Sequence, residues 1–304
     1  MTAESPDVLR ICLAIPFFSN VEFLGVALGS LVAQTDPEWT AIVVDDASPE
    51  PGAAEVVSSL GDDRVRYTRN EQNLGVAANF NRCIELAGGE AEVVTVFHAD
   101  DRLEPGYVAA MRAAHQAFPA ASCVAPRASV IDHLGVPTRT LADSVKHALW
   151  PRTLPATLVG EPGLRVLMRG LFFYCPSVSY RVGLLPDLRF DDRWLQVMDL
   201  DFYARILLEG GSIVLVPEHG YCYRRHDGTM TAQNSRSLVR LEEEVAVSRE
   251  IAAAARTRGW ARGARAARRR PTVRLNGLLE AVRLVTHRKL RAGFSAARRA
   301  ADPR

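Results

Sequence analysis

Two hydrophobic periods alternate along the first hundred residues. Val8 to Ile15 is a nearly continuous apolar run closed by Pro16, and Trp39 to Val44 is a second, closed by Asp45-Asp46-Ala47-Ser48. Short unbroken runs of this kind predict parallel strands buried on both faces. Between them, Phe23, Leu24, Ala27, Leu28 and Leu31 recur at helical spacing within Val21 to Gln34, so the segment predicts a β-α-β unit. The pattern continues with a helix near Gly52 to Leu60, a strand at Val65 to Thr68, a helix at Val76 to Ala87 and a strand at Val93 to Phe97. Such alternation predicts an α/β fold, a doubly wound sheet with ligands at the carboxyl ends of its strands. Polar clusters stand at those ends: Phe18-Ser19-Asn20, Asp45-Asp46, Arg69-Asn70 and His98 to Asp101.

The second half is less regular. Leu171 to Tyr180 reads as strand or loop, Asp199 to Leu208 as a helix, and Ser212 to Val216 and Tyr221 to Arg224 as strands. From Ser235 onward the pattern is helical, with breaks expected at Gly259, Gly263 and Pro271. There is no solenoid-type repeat.

Composition refines this picture. With 48% hydrophobic and 24% charged residues the chain reads as globular, neither disordered nor membrane-embedded. No apolar run approaches the roughly 18 residues of a spanning helix, and Met1 to Asp7 lacks the features of a signal peptide, so a cytoplasmic location is expected. Five scattered cysteines without C-x-x-C spacing read as buried thiols. The net charge of +2 conceals an asymmetry: residues 256–304 carry 15 Lys/Arg against Glu280 and Asp302, whereas the preceding 255 residues carry 22 basic and 33 acidic groups. An acidic body with a basic tail suggests two tasks in one chain.

Asp100 and Asp101 carry the candidate chemistry. They follow the run Val93-Val94-Thr95-Val96-Phe97 and precede Pro105. Carboxylates crowded at a buried strand end repel one another, and a divalent cation or a cationic partner relieves that repulsion. Alternatively, the pair caps the amides of a following helix. Taken alone, the turn is compatible with both.

Five motifs in order resemble the family 2 glycosyltransferases of the GT-A fold: Ala14-Ile15-Pro16-Phe17-Phe18, Val43-Val44-Asp45-Asp46-Ala47-Ser48, His98-Ala99-Asp100-Asp101, Met198-Asp199-Leu200-Asp201 and Tyr223-Arg224-Arg225-His226, with Asn73 to Asn81 between the second and third. The resemblance covers roughly residues 8–235. It implies a mixed, doubly wound sheet with a Rossmann-like nucleotide-binding half at about 8–105, an acceptor half at about 106–235, and a basic helical C-terminal extension at 236–304. It implies an inverting transferase that moves a sugar from a nucleoside-diphosphate sugar to an acceptor hydroxyl in envelope polysaccharide, glycolipid or natural-product glycosylation, with Mn²⁺ or Mg²⁺ as cofactor. Pro16, Phe18, Asp45, Asp46, Asn73, Asn79 and Asp101 fall to the nucleotide, with Asp46 on the base and Phe18 stacking beside it. Asp100 falls to the metal, His226 to the metal or the diphosphate, and Asp199 to the catalytic base. A helix cap at Asp199 and a surface histidine at His226 are the bland alternatives.

Two positions depart from the family pattern. His98 stands where the acidic turn usually opens with an acid, leaving a neutral imidazole as a softer ligand or a ribose contact. Met198 stands where an acid before the base is common. In the tail, Val273, Leu275, Leu278, Leu279, Val282 and Val285 recur at helical spacing, expected either to dock on the catalytic domain or to lie on an anionic membrane surface. A membrane contact would suit a lipid-linked acceptor as well as a carbohydrate or small-molecule one. Arg268-Arg269-Arg270 stand without a nucleic-acid recognition fold, so no nucleic acid is expected. A nucleotidyltransferase would carry a Gly-rich, basic loop after the first strand, and Pro16-Phe17-Phe18-Ser19-Asn20 is not one. A non-catalytic nucleotide-sugar-binding scaffold is the other alternative.

Overall fold

A computed structural model describes residues 8–185, 187–226 and 238–269. Its first half follows the predicted alternation: β1 Ile11–Phe17, α1 Val21–Val32, β2 Trp39–Asp45, α2 Ala53–Ser59, β3 Val65–Arg69, α3 Val76–Gly88 and β4 Val93–Val96. These four strands pair in parallel in the order β3-β2-β1-β4. Pro16 does not end β1; it lies within it, opposite Val44. The Phe97 amide is the last to bond β1 from the β4 side, at Ala14 O. Pro16, two residues on, faces that same side after β4 has left the sheet, so its missing N–H costs no ladder bond.

Beyond β4 the sheet becomes mixed. β5 Arg102–Leu103, α4 Tyr107–Ala117, β6 Cys123–Ile131, α5 Leu141–Leu149, β7 Ala156–Val159, α6 Gly160–Leu167, β8 Ser179–Arg181, α7 Met198–Leu208 and β9 Ser212–Arg224 complete the order β3-β2-β1-β4-β8-β6-β9-β5, with β7 also on β9. β9 joins the two segments expected as separate strands. Its register against β6 slips where Pro126, Arg127 and Ala128 face Val216, His219 and Tyr221. Pro217 lacks a donor, and bulges there absorb the extra residues without ending the strand.

Strand alternation sorts the core to two faces. Ile11, Leu13 and Ile15 face the side covered by α1, α2 and α4, while Cys12 and Ala14 face α3, α6 and α7. Two further helices, α8 Leu238–Thr257 and α9 Ala261–Arg269, join this second face through Val247, Ile251, Ala252, Ala255, Ala264 and Ala267. Gly259, at φ +75°, makes the turn between them. Gly263 does not break the helix as expected. It lies inside α9, where a Cβ would stand 3.3 Å from Leu164 Cδ2, so its small size lets α9 approach α6. Pro271 and the apolar series from Val273 to Val285 lie outside the described residues.

Candidate active site at the carboxyl ends of β1, β2 and β4

Parallel pairing brings the ends of β1, β2 and β4 to one rim. At the first, Phe18 is 44% exposed, available for stacking beyond Pro16. Asn20 adopts the left-handed region, φ 69°, and its Oδ1 caps α1 by accepting from the Phe23 amide at 3.0 Å. The Glu50 carboxylate accepts from the Asn20 and Val21 amides, so the free amides of this loop are met by a protein acceptor.

The two acids after β2 do different work. Asp45 is buried, and it accepts from the Ser48 amide at 2.7 Å and from Tyr67 Oη and Arg69 Nη1, both at 2.6 Å. It therefore faces β3. Asp46 faces the loop before α3: Oδ1 accepts from Asn70 Nδ2 and the Leu74 amide, each at 2.8 Å, and Oδ2 from the Gly75 amide at 3.1 Å. Asn70 also donates to Asn79 Oδ1 at 3.0 Å, and Asn73 Oδ1 accepts from the Gly75 amide at 2.8 Å. The structure thus joins Asp46, Asn73 and Asn79 in one network, with Asn70 bridging Asp46 to Asn79 and the Gly75 amide bridging Asp46 to Asn73.

At the end of β4 the chain turns through His98 to Asp101, the Asp101 amide donating to His98 O at 3.2 Å. Among the described residues, His98, Asp100 and Asp101 form a group whose donor atoms all lie within 4.8 Å of one another. Burial acts to raise the pKa of Asp100, but the bond from His226 Nε2 at 3.0 Å and the neighbouring His98 outweigh it and hold the carboxyl below the ordinary range. Asp101 is fully buried, and burial followed by repulsion from Asp100 pushes its carboxyl well above that range. It accepts from Tyr221 Oη at 2.7 Å and from the Arg224 amide at 2.6 Å. Burial lowers the pKa of His98, whose Nε2 is buried without a hydrogen-bond partner, while its ring packs on Phe80 at 5.1 Å. A neutral imidazole and an ionised carboxylate side by side are a donor set that fits a divalent cation.

Asp199 sits half-buried in the first turn of α7, where its Oδ1 accepts from the Leu200 amide at 2.7 Å. Burial raises its pKa, against the opposing pull of the Lys146 ammonium. Lys146 is itself lowered to about 8 by burial and lies over the Tyr174 ring at 4.2 Å. Beside it, Asp143 accepts from Tyr174 Oη at 2.7 Å and from Arg225 Nε at 2.9 Å, and Tyr174 stacks on Tyr223 at 4.7 Å.

Sequence reasoning missed Lys146, Asp143 and Tyr174. They come from α5 and the segment after α6, and nothing in their local spacing signals that Lys146, whose charge acts on Asp199, meets Tyr174 and that Tyr174 bonds Asp143. The capping box that Thr140 and Asp143 form at the start of α5 is the one local signature that was available.

This sheet, with acids at the ends of β2 and β4, is the GT-A glycosyltransferase architecture. Glycosyl transferase family 2 matches residues 12–176, more than half of the chain, and the chain belongs to that family. Uncharacterized protein MT1568 of Mycobacterium tuberculosis (strain CDC 1551 / Oshkosh) is 29% identical over 230 residues, covering 74% of this chain and 70% of that protein. The putative colanic acid biosynthesis glycosyl transferase WcaA of Escherichia coli (strain K12) is 31% identical over 96 residues, covering 31% of this chain and 34% of WcaA. The crystal structure of S. aureus TarS 1-349 in complex with UDP-GlcNAc superposes with a TM-score of 0.61 at 20% identity, over 81% of this chain. This chain spans 66% of the length of that TarS chain and 39% of the longer TarS crystal structure. No described helix is long and apolar enough to cross a membrane.

Proposed function

We propose that the chain is an inverting glycosyltransferase that moves a sugar from a nucleoside-diphosphate donor to an acceptor hydroxyl. The observation that carries this reading is the half-buried Asp199 at the start of α7, a carboxylate whose raised pKa suits a general base, in a chain whose family transfers sugars. Asp199 takes the proton of the acceptor hydroxyl. The freed oxygen attacks the anomeric carbon from the face opposite the diphosphate, the bond to the diphosphate breaks, and the anomeric centre inverts. Asp46 and its network, with Asn73 and Asn79, shape the nucleotide pocket beside Pro16 and Phe18, while Asp45 supports it from behind through Ser48 and Arg69. Asp100, with Asp101 beside it and its Oδ2 bonded to His226, would hold Mn²⁺ or Mg²⁺, which would supply charge relief for the departing diphosphate.

A uridine donor is supported by the UDP-GlcNAc complex of the structurally similar TarS, and a polysaccharide acceptor by the similarity to WcaA, which is described as a colanic acid biosynthesis glycosyl transferase. Residues 1–235 form the catalytic unit in this reading and residues 236–304 an extension. The exposed arginines of α9, Arg262 and Arg265, suit contact with an anionic membrane face.

The test is release of nucleoside diphosphate from a panel of UDP-, GDP- and dTDP-sugars, with and without Mn²⁺, in the presence of envelope acceptors. Acceptor-dependent release is expected, falling on the order of 10² to 10⁴ in Asp199→Asn. Release of sugar 1-phosphate would indicate nucleotidyl transfer, and no release from any donor a non-catalytic scaffold. Either result overturns the reading.

A further inference from the structure

We propose that His98 is a nitrogen ligand of the cation site and that it makes the site prefer Mn²⁺ and the later first-row divalent ions to Mg²⁺. This rests on the cation reading above and sharpens it. The donor atoms of His98, Asp100 and Asp101 lie within 4.8 Å of one another. Donors on opposite sides of an ion with bonds of roughly 2.1 Å are about 4.2 Å apart, so the group closes on an ion through shifts of a few tenths of an ångström.

The three residues are unequally free to ligate. Asp101 already accepts from Tyr221 and from the Arg224 amide, one bond on each oxygen. Asp100 Oδ2 is in contact with His226. His98 Nε2 is buried with no hydrogen-bond partner. An unmatched buried nitrogen costs about 1–3 kcal/mol, and ligation removes that cost. Packing fixes the ring: it tilts against Phe80, which in turn meets Phe190 edge-on at 5.6 Å. The imidazole is therefore positioned by apolar contacts, and the proposal assigns ligation to Nε2.

The chemistry of selection follows from the donor. Mg²⁺ favours oxygen donors in near-ideal octahedral geometry, whereas imidazole suits transition ions and affinity rises from Mn²⁺ through Co²⁺ to Ni²⁺. An imidazole in place of a carboxylate also removes one negative charge, which weakens the hold on a hard cation.

The test uses the full chain, free of any affinity tag. Mn²⁺ is titrated by electron paramagnetic resonance, with Mg²⁺ and Co²⁺ as competitors, and directly bound nitrogen is read from ¹⁴N modulation in pulsed spectra. Wild type is expected to show ¹⁴N coupling that disappears in both His98→Asn and His98→Asp and persists in His226→Gln. His98→Asp is expected to reduce the Mn²⁺ to Mg²⁺ preference on the order of tenfold. Unchanged coupling in both His98 variants, or the same preference in His98→Asp and wild type, overturns the proposal. Failure of wild type to bind Mn²⁺ at millimolar concentration overturns it together with the cation reading. Sugar transfer without metal would then still sustain the glycosyltransferase assignment.

Discussion

The Arg224 amide donates to Asp101 Oδ1 at 2.6 Å, and this bond fastens the end of β9 to the turn after β4. Arg224 Nε extends the fastening to Asp100 O at 2.6 Å, and its guanidinium lies 4.7 Å from the Phe23 ring. His226 is thereby delivered to Asp100. Asp101→Ala leaves the Arg224 amide and Tyr221 hydroxyl without their acceptor and is expected to lower unfolding free energy by about 2–4 kcal/mol, whereas Asp101→Asn keeps one acceptor and loses about half of that. Urea unfolding of the two variants measures the difference.

How far the sequence carries can be judged from the same residues. The β-α-β alternation and the strand-end positions of Asp45, Asp46 and Asp100 were legible because buried parallel strands read as apolar runs and their ends as polar punctuation. The partners of those acids were not. Asp45 and Asp46 are adjacent and chemically identical, yet one faces Tyr67 and Arg69 on β3 and the other the Asn70 to Gly75 loop, a divergence set by the strand pleat. Tyr221 reaches Asp101 only because β9 returns beside β5, a pairing that no local period encodes.

Asp199 as the proposed base would lose activity on protonation, so its raised pKa is expected to place the acid limb of kcat/KM above the ordinary carboxylate range. The Lys146 charge opposes that rise. Lys146→Met is therefore expected to move the acid limb to still higher pH, and Lys146→Arg to restore it. Initial rates across the pH range check this; an unmoved limb in Lys146→Met would separate Lys146 from the base.

His115 is fully buried with Nε2 2.8 Å from Ser179 Oγ, and burial together with Arg181 holds its pKa down to about 3. The unfolded chain binds a proton at this ring near pH 6.5 while the native chain does not. Stability contributed by the neutral ring is thus full above that pH and falls as the pH drops toward 3, by about 1.4 kcal/mol per unit. Denaturant unfolding at pH 7.5 and pH 5 is expected to differ by about 2 kcal/mol from this residue, and His115→Gln to reduce the difference.

Glu243 of α8 accepts from the Leu195 and Gln196 amides at 3.1 and 2.7 Å, bracing the segment that leads into Asp199. Glu243→Ala is expected to cost about 1–2 kcal/mol and to speed amide exchange at residues 195–199. Hydrogen-exchange mass spectrometry locates the effect. Exchange there equal to wild type would mean that α8 supports Asp199 through apolar packing alone.

The division of labour between the acids after β2 gives the sharpest contrast. Asp46 receives three N–H donors from Asn70, Leu74 and Gly75, and Gly75 sits at φ +84°, where a side chain would be strained. An asparagine at position 46 keeps one acceptor oxygen, and its amide nitrogen must then meet a donor. Asp46→Asn is expected to cost about 1–3 kcal/mol and to loosen the loop beside the proposed nucleotide pocket, weakening UDP binding by about tenfold. Asp45→Asn disturbs Ser48, Tyr67 and Arg69 instead, away from that loop, so stability drops while UDP affinity stays within about threefold. Calorimetric titration of UDP into both variants decides the matter: equal losses of affinity would mean that both carboxylates meet the nucleotide.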